Sequence, residues 1–169
     1  MSKNIIIYFS RRGNNYSSSG IKYLEIGNTE KVVSYIQEFI DADVFEVKPK
    51  IEYPEDYMEC TEVAKKEQEN NERPELQEYL DTIEEYDTVY IGFPNWWGTL
   101  PMPLWTQLEK LDFTGKTVKP FVTHEGSGMG NSLNDLKKLC EGAEIVSGLS
   151  IQGSSVDSSK DNVETWLKN

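Results

Sequence analysis

Ile91-Gly-Phe-Pro-Asn-Trp-Trp-Gly-Thr-Leu-Pro-Met-Pro103 joins a short apolar run, Thr88 to Phe93, to a helical pattern that starts near Leu104. An apolar run that stops at a proline and leads through a loop into a helix is one step of an alternating α/β chain. The loop itself is unusual. Adjacent tryptophans, Trp96 and Trp97, carry large apolar faces into a segment type that normally lies at the surface. Either both rings fold back onto the core, or at least one lines a site for a flat partner. Gly98 beside them lets backbone approach such a partner closely.

Outward from this stretch the same alternation repeats. Asn4 to Phe9 is a continuous β-rich apolar run, of the kind found in a parallel strand covered on both faces. A polar turn, Ser10 to Asn15, follows, and the chain then passes through Tyr16 to Ile26 before Glu30 to Ile40. Val32, Val33, Ile36, Phe39 and Ile40 place that last segment on an amphipathic helix, with Asn28 or Thr29 as its N-cap. Asp43 to Lys48 reads as the second strand, closing a βαβ unit. Residues 52–87 hold fourteen Asp or Glu against three Lys or Arg, which reads as a solvated acidic face. Helical patterns run from Cys60 to Glu69 and from Pro74 to Ile83. After the Trp loop come a helix to Leu111, a strand from Lys116 to Thr123, a glycine-rich loop from Glu125 to Gly130 and a helix from Ser132 to Leu139. A strand from Glu144 to Ile151 and a helix from Asp161 to Leu167 complete the pattern. Five strands alternating with helices predict an α/β fold, an open, doubly wound parallel sheet in a single domain, residues 1–169.

Composition narrows the partners. The formal charge of −12 on 169 residues argues against nucleic acid and against an anionic membrane surface. No apolar run approaches a membrane span, and Met1-Ser-Lys-Asn4 enters a strand without a signal-peptide core. Cys60 and Cys140 are far apart and unpaired in spacing, so a reduced cytoplasmic protein is expected. His124 is the one histidine, which leaves little for a zinc site.

Ligands of open α/β sheets bind outside the carboxyl ends of the strands, near the switch in strand order. The loop after strand one, the Pro94-Asn-Trp-Trp-Gly98 loop and the Glu125–Gly130 loop all fall there. A polar loop leading into a helix N-terminus offers amides and a dipole to phosphate. Beside a double Trp, it points to a phosphorylated planar heterocycle. No Gly-x-Gly-x-x-Gly follows strand one and no Gly-Lys-Ser/Thr occurs, which speaks against a Rossmann dinucleotide site and an ATPase.

These segments resemble the flavodoxins, the flavodoxin-like FMN proteins. Ile7-Tyr-Phe-Ser-Arg-Arg-Gly-Asn14 is similar to their phosphate loop, and Gly27-Asn-Thr-Glu-Lys-Val-Val33 to its continuation into the first helix. Pro94-Asn-Trp-Trp-Gly-Thr-Leu-Pro101 is similar to the isoalloxazine loop of one subgroup. Phe113-Thr-Gly-Lys-Thr-Val118 followed by Glu125-Gly-Ser-Gly-Met-Gly130 is similar to the segment around the fourth strand. The departure is Tyr16 to Ile26, which interrupts the first loop as an insertion at the mouth of the site. The resemblance implies strand order 2-1-3-4-5 and FMN as cofactor. It implies phosphate held by Ser10, Arg11, Arg12, Gly13 and Asn14 and by Asn28 and Thr29, the last two favoured because they head the helix. Pro94, Asn95, Trp96, Trp97 and Gly98 would meet the ring, with Trp96 or Trp97 stacked on it. Glu125, Gly126, Ser127 and Gly128 would reach its polar edge.

The chemistry would then belong to the cofactor, with no side chain needed as acid, base or nucleophile. Stacking and nearby negative charge disfavour an anionic reduced flavin, and about 1.4 kcal/mol of such bias corresponds to about 59 mV for one electron. Two functions follow from the resemblance. One is a flavodoxin-type electron-transfer protein that docks on basic-faced redox partner proteins, a reductase and an acceptor. The other is an NAD(P)H-dependent FMN oxidoreductase, quinone reductase-like, of the same fold.

Overall fold

The computed structural model describes residues 3–169. In chain order the elements are β1 (Asn4–Tyr8), β2 (Gly13–Ser17), β3 (Gly20–Leu24), α1 (Asn28–Phe39), β4 (Asp43–Glu46), α2 (Tyr57–Glu69) and β5 (Thr88–Pro94). They continue with α3 (Met102–Leu108), β6 (Thr117–His124), α4 (Ser132–Leu139), β7 (Glu144–Ile145), β8 (Leu149–Gln152) and α5 (Lys160–Leu167), a 3-10 turn at Gly153–Ser158 preceding the last helix. The main sheet runs β4-β1-β5-β6, with β7 and β8 both on the far side of β6, and its pairings are parallel. This is the doubly wound order 2-1-3-4-5, its fifth place shared by two short strands.

Parallel strands covered on both faces must be apolar on both, and β1 shows how the alternation divides the core. Ile5, Ile7 and Phe9 join Val89, Ile91 and Phe93 under α3 and α4. Ile6 and Tyr8 join Tyr90 and Phe121 under α1 and α5, against Val32, Val33, Ile36, Val163 and Trp166. Gly92 of β5 is where Phe121 of the next strand lies flat: a Cβ there would stand 2.1 Å from the Phe121 ring.

Four expectations need correction. The polar turn ends at Arg12: from Gly13 the chain is a strand, β2, which pairs antiparallel with β3 inside the insertion Tyr16 to Ile26. Pro74 to Ile83 is not helical. Its backbone is claimed by other segments: Lys50 N–H donates to Glu75 O, Gln77 N–H to Lys48 O, and the Gln107 side chain from α3 bonds Leu80 N–H and C=O, both at 2.8 Å. The last strand breaks between β7 and β8, where Gly148 sits against Met129 and the Ser147 carbonyl accepts from Trp166 Nε1 at 2.8 Å. The N-cap of α1 is Gly27, neither Asn28 nor Thr29, and no side chain of that residue caps the helix. Ser10 does so from the end of β1, its Oγ accepting from Glu30 N–H at 3.2 Å.

Gly92→Ala forces the Phe121 ring to shift in a close-packed core and is expected to lower stability by about 1–3 kcal/mol. Urea denaturation followed by far-UV circular dichroism measures it.

Candidate functional site

The loops leaving β1, β5 and β6 converge at the carboxyl ends of the strands, and α2 lies across them as an outer wall. Between them is a cavity of about 430 Å³. Of the residues singled out from sequence, Arg11, Asn28, Thr29, Pro94, Asn95, Trp96, Trp97, Glu125 and Ser127 line it. Ser10, Arg12, Gly13 and Asn14 line an adjoining hollow of about 370 Å³, on whose wall Arg11 and Trp96 also stand. Gly98, Gly126 and Gly128 line neither; each has positive φ and shapes its loop.

The two tryptophans divide the alternatives that the sequence left open. Trp96 turns inward and meets Phe9 and Tyr53 edge-on, centroids 5.0 and 4.9 Å away. Trp97 is 50% exposed and sits at φ +55°, a conformation that L residues rarely adopt. Contacts from α2 hold it there. Its Nε1 donates to Thr61 O at 2.9 Å, Gln68 Nε2 donates to its carbonyl at 3.2 Å, and the Lys65 ammonium stands 5.2 Å from the ring centroid. Trp96 therefore packs against the core while forming part of the wall of both hollows, and Trp97 is the exposed ring on the wall of the first.

Asn95 locks the loop to its neighbour. Its Nδ2 donates to Gly128 O and its Oδ1 accepts from Gly98 N–H, both at 2.8 Å. Thr99 Oγ1 donates to the buried Asp135 carboxylate on α4, and Asn131 N–H donates to Gly98 O at 2.6 Å. On the opposite side, the buried hydroxyls of Thr29 and Thr123 meet at 2.9 Å, joining the α1 N-terminus to β6. His124 has a structural part: its Nδ1 accepts from Gly126 N–H at 2.9 Å. Glu125 accepts from Ser154 Oγ on both oxygens, at 3.0 and 2.9 Å, and from Gln152 Nε2 at 3.4 Å.

The arginines part company. Arg12 leaves the cavity for Glu30, paired through Nε at 3.0 Å and Nη2 at 3.1 Å, with Glu46 at 3.3 Å. Arg11 remains on its edge, donating to three carbonyls: Asn14 O at 2.9 Å, Pro54 O at 2.9 Å and Glu55 O at 3.1 Å.

Asn15, Tyr16, Thr123 and His124 also line the cavity, as do Tyr57, Met58, Cys60, Thr61 and Ala64 of α2. The α2 residues were hidden in sequence by the acidic stretch around them. The spacing of Tyr57, Cys60, Thr61 and Ala64, one helical face, was the available signal. Tyr16 from the hairpin and Tyr57 stand 6.2 Å apart at the mouth. Burial pushes the Cys60 thiol up to about 11.

A cavity at the switch point of a doubly wound sheet, walled by an aromatic loop and a helix N-terminus, is the ligand site of this class of α/β protein. The chain belongs to the flavodoxin family: the family model described as flavodoxin matches residues 16–169. Among solved structures it is similar to a provisionally named flavoprotein of Bacteroides uniformis, at 28% identity and TM-score 0.74, covering 99% of both chains. It is also similar to a provisionally named flavoprotein of Bacteroides eggerthii, at 25% identity and TM-score 0.72, covering 96% of this chain and 98% of the other. A Lactobacillus acidophilus flavoprotein solved in complex with FMN shares the fold at 22% identity and TM-score 0.63, over 94% of this chain and 98% of that one. No curated protein matches the chain. Among the described residues, no helix is long and apolar enough to cross a membrane.

Two predictions follow from this geometry. Trp96→Ala is expected to cost about 3 kcal/mol of stability, as removal of a packed ring does, whereas Trp97→Ala costs about 1 kcal/mol or less; paired urea titrations compare them. A thiol whose folded pKa is raised adds stability that is complete below its unfolded value and lost as pH climbs through the folded one. With Cys60 near 11 and Cys140 pushed up to about 12 by burial, the urea midpoint is expected to fall above about pH 9. A Cys60→Ser, Cys140→Ser double variant loses less over the same range.

Proposed function

We propose that the chain binds FMN in the cavity of about 430 Å³ and works as an electron-transfer flavodoxin. The observation that carries this reading is a single hollow with the exposed Trp97 ring on one side and Asn28 and Thr29, heading α1, on another. Flat and anionic parts of one ligand need such opposed ends. The complex of the Lactobacillus acidophilus relative with FMN supports it.

In this reading the first-turn amides of α1 and the helix dipole take the phosphate. Thr29 and Asn28 add polar contact there, and Ser10 acts through the Glu30 amide that it already holds. Trp97 supplies the stacking face, kept in place by its bonds to α2. Tyr16 and Tyr57 close the mouth. Bound FMN would supply one- and two-electron redox chemistry, for which the chain provides orientation, stacking and partial exclusion of water.

Electron transfer to protein partners fits the surface. Glu52, Glu55, Asp56, Glu59 and Glu62 are exposed on α2 and its approach, beside the cavity mouth. A chain of net charge −12 repels the polyanionic NAD(P)H and attracts a basic face, speeding encounter in a salt-sensitive way.

The purified protein is expected to be yellow and to release FMN, neither FAD nor riboflavin, on denaturation. Trp97→Ala should weaken FMN binding by about 1–3 kcal/mol, the usual worth of one stacking ring; fluorescence titration of apoprotein measures it. Anaerobic mixing of the oxidised protein with excess NADH or NADPH should leave the flavin oxidised for seconds. A basic-faced reductase should reduce it rapidly, and more slowly as salt rises. Rapid direct reduction by either nicotinamide would make NAD(P)H-dependent oxidoreductase the better description.

A further inference from the structure

The hollow of about 370 Å³ beside the first cavity is within the size range of small-molecule sites. It lies over the ends of β1 and β4, between the hairpin and residues 49–55. Two side chains separate it from its neighbour, Arg11 and Trp96. Opening that partition on the Arg11 side means giving up the guanidinium bonds to Asn14, Pro54 and Glu55 carbonyls, all within 3.1 Å. The hollow is therefore a compartment of its own.

Its inner wall is aromatic. Phe9, Tyr53 and Trp96 meet one another edge-to-face, at 6.1, 5.0 and 4.9 Å between centroids. Over the outer side stands Tyr23 of β3, 69% exposed. Tyr23 and the aromatic wall line one hollow, and rings around a hollow of this size suit a flat molecule. Tyr23 pairs in register with Asn14, so the base of the hairpin fixes the backbone from which the ring projects.

The charges around the slot cancel. Arg11, Arg12 and Lys48 line it together with Glu46, Glu52 and Glu55. In a protein of net charge −12, this neutral lining favours neither an anion nor a cation. Arg12 and Glu46 are already engaged with each other at 3.3 Å. Lys48 keeps donors to spare: its contact with the Glu46 carboxylate is 3.9 Å long, and half its side chain is in solvent. An ammonium at the rim of an aromatic slot suits a carbonyl oxygen on the edge of a ring.

We propose that this second cavity binds a small, neutral, planar aromatic carbonyl compound, one or two rings in size. The ring lies between Tyr23 and the Tyr53–Trp96 wall, and its carbonyl accepts from Lys48. Trp96 is then a shared wall between this ligand and whatever fills the first cavity. The proposal does not depend on FMN being that occupant.

Coumarin is the neutral probe, with naphthalene-2-sulfonate and 1-methylquinolinium as bicycles of similar size and opposite charge. Calorimetric titration of the protein as purified should give one coumarin site, with either charged probe at least about tenfold weaker. Tyr23→Ser should weaken coumarin about fivefold or more. Lys48→Trp, at an exposed position, should fill the slot and abolish binding. Both variants should retain the parent's bound flavin and urea midpoint. Absence of coumarin binding, equal binding of the charged probes, release of flavin by coumarin, or unchanged affinity in both variants would each overturn the proposal. If the protein takes no FMN yet binds coumarin through Tyr23, the flavin reading fails and this one stands.

Discussion

The first turn of α1 has amides to satisfy and no side chain of its own cap to satisfy them. Everything at the carboxyl edge of the sheet is arranged around that need. Ser10, at the end of the central strand, answers it by accepting from Glu30 N–H, and reaches the helix only because residue 27 has no Cβ. A methyl there would stand 2.2 Å from Ser10 Oγ and 2.7 Å from Arg11 O. The contact fixes where β1 ends relative to where α1 begins, although residues 9–27 intervene. Thr29 then meets Thr123 on β6, so two strands and one helix share a reference point. Asn28 and Thr29 face the cavity because of it.

A second consequence of the same economy is rigidity across the cavity. Asn95 ties the Trp loop to the Gly128 carbonyl and to its own Gly98 amide, and Thr99 and Gly98 tie it again to Asp135 and Asn131. The loops after β5 and β6 therefore form one bonded unit. Trp97, in its unusual backbone conformation, is held from the other side by Thr61 and Gln68. A wall ordered before any ligand arrives loses little entropy on binding.

How much of this could be read from the chain depended on what each segment answers to. The runs at Asn4–Phe9 and Thr88–Phe93, and the helix at Ser132–Leu139, are dictated by local apolar patterning, and they form where that patterning puts them. The three loops lie together because the doubly wound order leaves them nowhere else. Pro74–Ile83 has helical spacing, yet Gln107 and the backbone of residues 48–50 take its hydrogen-bonding groups, a tertiary fact without a local sign. Gly27 hid the cap, since the polar Asn28-Thr29 beside it looked like the natural one. The division of labour between Trp96 and Trp97 turns on one positive φ, which two identical residues cannot announce. Arg12 read as a residue for the phosphate because its partners, Glu30 and Glu46, are distant in sequence.

The hairpin breaks the chain's path between the central strand and the first helix, and that break has a topological consequence. Two strands alone are marginal in water, and this pair leaves Tyr16, Ile21 and Tyr23 at least half exposed. It is fastened at its base by Arg11 and at its tip by Ser18 N–H to Ser154 Oγ, at 3.1 Å. The backbone at the tip, Ser18 to Gly20, is exposed and carries no ladder of the main sheet. Severing it would leave β1 on a short peptide still gripped by β4 and β5, in the middle of the sheet. The exposed tip of the hairpin is thus the seam of a two-piece protein. Its halves would reassemble by inserting a central strand, with a stability that depends on their concentration.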